Sequence, residues 1–247
     1  MIRFLRSALF SLGMAASAVV IATVTVAAFP LPFRVRYRIA GTFAAFNLWT
    51  LDRLCGVKWM VEGREHIPPE PAIVFCKHQS TWETLALQRV FPPQVYVLKR
   101  ELLWVPFFGW GLAMVRPIAI RRGSGRAAVR QLVAQGKARL AEGLWVVVFP
   151  EGTRTAPGQR TRYKVGGAVL AAESGVPVVP VAHNAGDFWP RRAFFKRPGC
   201  IRMRIGPPIV TAGRTPEEIL AEARDWIEAS VEELRRLPPD PAQCQGK

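Results

Sequence analysis

The chain has 247 residues and carries 34 lysines and arginines against 18 aspartates and glutamates, a formal charge of +16. That length suits one domain with a full core, and a composition 50% hydrophobic and 21% charged argues against a disordered chain. Four cysteines, Cys55, Cys76, Cys200 and Cys244, are widely spread with no C-x-x-C pair, which argues against a disulfide-dense secreted scaffold and a Cys/His zinc module. Such a basic excess calls for anionic company, either nucleic acid or an anionic membrane surface.

The N-terminus favours the membrane. Residues 7–33 contain no charge, and residues 7–29, ahead of Pro30 and Pro32, would make a helix of roughly 35 Å, enough to span a ~30 Å hydrocarbon core. Arg3 and Arg6 precede it, whereas Arg34, Arg36 and Arg38 follow at once, which places the rest of the chain on the cytoplasmic side. Ala16-Ser17-Ala18 has the small-x-small form of a signal-peptide cleavage site, but the apolar run continues well past it, which favours an anchor at the inner (cytoplasmic) membrane. Residues 1–33 are therefore expected to be a membrane anchor. Residues 34–59 mix Arg36, Arg38, Arg53 and Lys58 with Tyr37, Phe43, Phe46, Trp49 and Leu51, the composition of an amphipathic interfacial segment.

From residue 60 to 237 short apolar runs alternate with helical stretches. Ile73-Val74-Phe75-Cys76, Tyr96-Val97-Leu98, Trp145-Val146-Val147-Val148-Phe149 and Val176-Pro177-Val178-Val179-Pro180-Val181 read as strands buried on both faces. Helices are expected over residues 82–90, 126–141 and 165–174, the last stopped by Gly175. The expected fold is α/β, with a largely parallel central sheet flanked by helices and an N-terminal membrane-associated helical segment. Ile201-Arg202-Met203-Arg204-Ile205 alternates and predicts a half-exposed edge strand. Thr215-Pro216-Glu217-Glu218 combines a capping box with proline at the first helical position and opens a last helix. Residues 238–247 are expected to be a frayed tail.

Gly123-Ser124-Gly125-Arg126-Ala127-Ala128 mimics the G-x-G-x-x-A phosphate turn, but no second mononucleotide half follows and Ser124 is explained as a helix cap. No P-loop motif and no G-x-S-x-G nucleophile elbow occurs.

More informative is Lys77-His78-Gln79-Ser80-Thr81-Trp82-Glu83-Thr84, where a buried strand gives way to a helix. Chemistry favours that end of a parallel sheet. Ser80 and Glu83 form a capping box, which leaves His78 unexplained. A hydrogen bond from its imidazole to the Glu83 carboxylate would fix the tautomer and leave the other ring nitrogen free as a general base. A second strand end, Phe149-Pro150-Glu151-Gly152-Thr153-Arg154, can face the same crevice and offers an arginine, the planar two-pronged donor that phosphate prefers.

Together these segments resemble the lysophospholipid/glycerophosphate acyltransferase family. Its His-x4-acid motif stands here as His78 and Glu83, and its Phe-Pro-Glu-Gly-Thr-Arg motif is intact at 149–154. The block from Lys99 to Gly109, running on to Ile118-Ala119-Ile120-Arg121-Arg122, is similar to the one that supplies a lysine and an arginine to the substrate phosphate. Residues 176–181 are similar to the last family block, which shapes the acyl side. The resemblance covers residues 60–210. Two departures stand out: Glu83 where aspartate is usual, and Arg116 where glycine is frequent.

The resemblance implies transfer of a fatty acyl group from a thioester, acyl-CoA or acyl-carrier protein, to the free hydroxyl of lysophosphatidate, giving phosphatidic acid. Other lyso-lipids and glycerol 3-phosphate are alternative acceptors. It also implies His78 as base and Glu83 as its partner, with Lys99, Arg122 and Arg154 on the phosphate, and Glu151 and Gly152 near the glycerol. No metal and no bound cofactor are implied. Backbone amides at the helix start after His78 are the expected oxyanion donors. Anionic membrane lipids, rather than nucleic acid, then account for the basic charge. A rival from another class is a non-catalytic protein whose basic surface binds anionic lipids.

Overall fold

The computed structural model describes residues 1–121, 123, 125–238 and 244. Seven strands, β1 (Val57–Glu62), β2 (Ile73–Cys76), β3 (Gln94–Lys99), β4 (Ile118–Ile120), β5 (Trp145–Val148), β6 (Val178–His183) and β7 (Gly199–Ile205), form one sheet in the order β1-β7-β6-β2-β5-β3-β4. Every neighbouring pair is parallel except β6 and β7. A parallel sheet must be covered on both faces. The helices that cover it are α1 (Ile2–Ala27), α2 (Phe33–Cys55), α3 (Trp82–Val90), α4 (Phe108–Met114), α5 (Arg126–Ala141), α6 (Gly166–Ser174), α7 (Ala185–Phe188) and α8 (Pro216–Arg236).

The period of two along β2 divides the core. Val74 and Cys76 face Leu48 and Leu51 of α2 and Trp82 and Leu87 of α3, whereas Ile73 and Phe75 face Leu132 of α5, Leu170 of α6 and Ile219 and Ile227 of α8. α8 begins with the expected capping box: Thr215 Oγ1 accepts from the Glu218 amide and Glu218 accepts from the Thr215 amide at 2.8 Å.

One expectation requires correction. β7 is not a half-exposed edge strand; it lies between β1 and β6. Its alternation has another cause, since Arg204 reaches Glu62 of β1 at 3.0 Å and Glu233 of α8 at 2.7 Å instead of open solvent. The edges are β4 and β1, the first residues of the latter falling in the expected interfacial segment. A single disulfide joins Cys200 of β7 to Cys244. Residues 239–243 and 245–247 of the expected frayed tail lie outside the described residues, as does Ser124.

α1 is long and apolar enough to cross a membrane, yet it lies against the rest of the molecule along its length. Near its start Arg3 donates to the Lys196 carbonyl, and Ser7 Oγ accepts from the Lys196 amide. The Lys196 ammonium donates to Ser11 Oγ at 3.0 Å and sits 4.9 Å from the Phe10 ring centroid. Midway, Asn47 of α2 donates to Ser17. Further on, Gly111 of α4 meets Ala22 so closely that a Cβ there would lie 2.7 Å from the Ala22 side chain. The opposite side of α1 exposes Leu5, Leu9, Leu12, Val20 and Val24, with Phe29 and Leu31 beyond its end. That exposed apolar face is a membrane-associating surface.

Candidate active site at the strand ends

β2 stops at Cys76, and the chain turns through residues 77–81 into α3. The Glu83 carboxylate, fully buried in the first turn, reaches back over that turn. Its Oε1 accepts from the Gln79 amide at 2.9 Å, the Ser80 amide at 2.8 Å and the His78 ring at 2.8 Å. An ionised carboxylate only accepts, so His78 Nδ1 carries the proton and Nε2 is left as an acceptor. Burial works to raise the Glu83 pKa, but the facing His183 ring, the His78 hydrogen bond and the Ser80 amide outweigh it and hold the group below its ordinary value.

The turn keeps the two halves expected of a capping box, Glu83 reaching back to the Ser80 amide and Ser80 satisfying a first-turn donor, but one residue out of the usual register. Thr81 is the residue before the helix and its side chain makes no cap, while Ser80 Oγ accepts from the Trp82 amide. The Gln79 and Ser80 amides are occupied by Glu83, so these two N–H groups do not serve as the expected oxyanion donors.

β5 is the neighbour of β2 in the sheet, and this adjacency brings the second segment onto the first. Phe149 stacks on the His78 ring, centroids 4.0 Å apart and planes 18° from parallel, with Tyr96 stacked against Phe149 in turn. Thr155 donates to the His78 carbonyl through its amide at 2.8 Å and its hydroxyl at 3.2 Å. Glu151 Oε1 accepts from the His78 amide at 3.3 Å. The loop thus grips His78 by ring, carbonyl and N–H together.

Glu151 is turned to the His78 amide and to the Lys77 ammonium, 3.3 Å away, with its side chain out of solvent. Burial pushes its carboxyl up to about 7, against the opposing pull of Lys77 and of the Glu151 and His78 amides. Between about pH 4.5 and 7 the unfolded chain therefore ionises this group before the folded chain does, and folding stability falls as pH rises through that window. Glu151→Gln removes the penalty and retains an oxygen for the His78 amide. The difference in melting temperature, variant minus wild type, is expected to be more positive at pH 8 than at pH 5, as measured by circular dichroism.

Gly152 adopts φ +69°, a conformation that L side chains rarely adopt, so the turn requires glycine, while the flexible end of Lys164 lies over it. Arg154 is half-buried; burial lowers its pKa, the Glu83 carboxylate raises it and Arg191 lowers it further. Lys99 stands exposed at the end of β3 and pairs with Glu101 at 3.5 Å. Arg122 lies outside the described residues. Arg116 has φ +58°, a conformation that glycine adopts freely, and its guanidinium is paired with Glu142 at 2.6 Å.

The structure therefore groups His78, Glu83, Glu151 and Arg154 around two adjacent strand ends and leaves Lys99 at a third. It also adds residues that the motifs do not name. His183, at the end of β6 on the other side of β2, is buried, donates through Nε2 to the Lys77 carbonyl at 2.7 Å and accepts the Ala185 amide at Nδ1. It lies 3.8 Å from Glu83. Burial lowers its pKa, against the opposing pull of the Glu83 carboxylate and the Lys77 carbonyl. Thr155 was signalled only by its place after the Phe-Pro-Glu-Gly-Thr-Arg motif, whose Phe149 stacks on His78, and His183 only by its place at a strand end.

A helix-covered, mostly parallel sheet with a His–carboxylate pair at the strand ends defines the class. A family model described as Acyltransferase matches residues 58–184, and the chain belongs to that family. The 1-acyl-sn-glycerol-3-phosphate acyltransferase of Pseudomonas aeruginosa is 43% identical over 238 residues, covering 94% of this chain and 93% of that protein. The human 1-acyl-sn-glycerol-3-phosphate acyltransferase alpha is 33% identical over 190 residues, 76% of this chain and 67% of its own length. The fold is shared with the crystal structure of the 1-acyl-sn-glycerophosphate acyltransferase of Thermotoga maritima, at a TM-score of 0.78 and 23% identity over 95% of this chain and 96% of that one.

Proposed function

We propose that the chain is a 1-acyl-sn-glycerol-3-phosphate acyltransferase, moving a fatty acyl group from a thioester to the free hydroxyl of lysophosphatidate and so producing phosphatidic acid. The observation that carries this reading is the His78 Nδ1–Glu83 Oε1 hydrogen bond of 2.8 Å, because it leaves Nε2 unprotonated on a ring that is still partly exposed. The hydroxyl oxygen attacks the thioester carbonyl carbon while His78 Nε2 takes its proton, and Glu83 stabilises the imidazolium that forms. Collapse of the tetrahedral intermediate breaks the carbon–sulfur bond, and the imidazolium returns the proton to the departing thiolate. The products are an ester and a free thiol, with no acyl-enzyme between.

Arg154 holds the phosphate, with Lys99 at the end of β3 and Arg122 as further cations. Glu151 acts on the reaction through the His78 backbone, and Gly152 keeps the turn low beneath the glycerol. The donor is acyl-CoA or acyl-carrier protein. Both are cytoplasmic.

In this account α1 enters one leaflet of the inner membrane sideways, by its exposed apolar face. Contacts from Arg3 to Ala22 hold the helix to the polar domain, and a spanning orientation would draw that domain into hydrocarbon. The basic surface then attracts anionic lipids, substrate and product among them.

Acceptor comparison tests the proposal. Purified protein is expected to give at least tenfold higher kcat/KM with lysophosphatidate than with lysophosphatidylcholine or glycerol 3-phosphate, since both the phosphate monoester and the acyl chain contribute binding. Equal values for lysophosphatidate and lysophosphatidylcholine would contradict it.

A further inference from the structure

Lys77 immediately precedes His78, and its side chain turns to the α8 side of the sheet. The ammonium is buried, with 1% of the side chain exposed, 2.6 Å from Glu228 Oε1 of α8 and 3.3 Å from Glu151 Oε1. The Tyr163 hydroxyl donates to the same Glu228 oxygen at 2.9 Å. An ammonium in such a place is costly unless it is paired, yet nothing in the transfer step uses it.

The geometry does give it a task. Glu151 Oε1 is shared between the Lys77 ammonium and the His78 amide, and among the described residues Glu151 Oε2 has no hydrogen-bond partner. The contacts on this carboxylate are therefore Lys77 on one side and the His78 and Glu151 amides on the other, and Lys77 is the side chain among them. Lys77 is itself fixed by Glu228, well beyond the last residue matched by the family model. We propose that Lys77 and Glu228 are positioning residues: they hold the Glu151 carboxylate against the His78 amide, and through it set the base relative to the substrate hydroxyl. α8 is thus part of the active-site scaffold as well as a cover for the sheet. The kinetic part of this inference rests on the acyl-transfer reading above; the structural part does not.

The test replaces the pair together, Lys77→Met with Glu228→Leu, which removes one charge of each sign and leaves Glu151, whose carboxyl burial already pushes up to about 7, free to neutralise by taking a proton, so that folding is preserved. Two readouts are taken. The chain has three histidines, so 15N-histidine labelling gives a simple spectrum in which the His78 amide can be assigned by substitution. In the double variant this amide proton is expected to move upfield as its carboxylate acceptor drifts. kcat is expected to fall about tenfold or more with KM for lysophosphatidate within about threefold, the pattern of a misplaced base rather than a lost binding contact. Glu228→Gln keeps an oxygen for Lys77 and Tyr163 and is expected to retain at least about a third of wild-type kcat.

An unmoved amide, or a moved amide with kcat retained, overturns the proposal, as does a rise in KM with kcat unchanged. Should the double variant not fold, Glu228→Leu alone is judged by the same two criteria. If the wild type shows no turnover on lysophosphatidate, the acceptor assignment fails, and the amide measurement still judges the clasp.

Discussion

His78→Ala is expected to lower kcat by roughly 10²–10⁴-fold, the range for loss of a general base, while the protein remains folded and membrane-bound. Its ring is only partly buried, with 13% of the side chain exposed, and most of its surroundings are supplied by backbone contacts that alanine keeps. The Thr155 amide and hydroxyl and the Glu151 carboxylate bind the carbonyl and N–H of residue 78, not its ring. Neither remaining histidine can substitute. His66 lies in the turn after β1 with Nδ1 against the Ile205 carbonyl. His183 has both nitrogens occupied and no exposed surface. Rates at saturating substrate, with circular dichroism as the folding control, check the expectation; more than a tenth of wild-type activity would remove His78 from the base role.

Arg154→Ala is expected to act on binding instead. A lost charge-assisted contact costs ~1.5–3 kcal/mol, so KM for lysophosphatidate should rise roughly ten- to a hundredfold while KM for the thioester stays nearly constant. Partial burial strengthens the contact by keeping solvent screening low. Arg154→Lys should recover little, because an ammonium cannot present two parallel N–H donors. Steady-state kinetics with each substrate varied in turn separates the outcomes. A parallel rise in both KM values would place Arg154 on the donor or in the fold.

Much of the framework was legible because it rests on local chemistry. Fully buried strands need continuous β-branched runs, and Ile73-Val74-Phe75-Cys76 and Trp145-Val146-Val147-Val148 supply them. The helix over 126–141 and the capping box at Thr215 are likewise local features, and both stand where the sequence puts them. The His78–Glu83 pair spans five residues, so its geometry follows from one strand-to-helix turn. Harder to read were features decided by strand order. Alternation in residues 201–205 signals polar groups on alternate positions, but not whether water or a neighbouring strand receives them; here Glu62 and Glu233 receive Arg204. The same limit hid His183, which meets the Lys77 carbonyl across 106 residues, and Glu228, which meets the Lys77 ammonium across 151. Glu151 illustrates the point within a motif: its position was legible, while its orientation toward Lys77 and the His78 amide depends on β5 lying beside β2.

The most direct measurement is the balance of products when the purified protein is mixed with lysophosphatidate and an acyl thioester, with lipid followed by mass and free thiol by titration. Direct transfer at His78 predicts one phosphatidate formed for each thiol released, with little thiol release when lysophosphatidate is omitted and an unchanged intact-protein mass throughout. Thiol release without a new lipid would indicate a thioester hydrolase, a protein mass increased by one acyl group would indicate a covalent intermediate, and no release at all would leave a lipid-binding protein; each result would contradict the account.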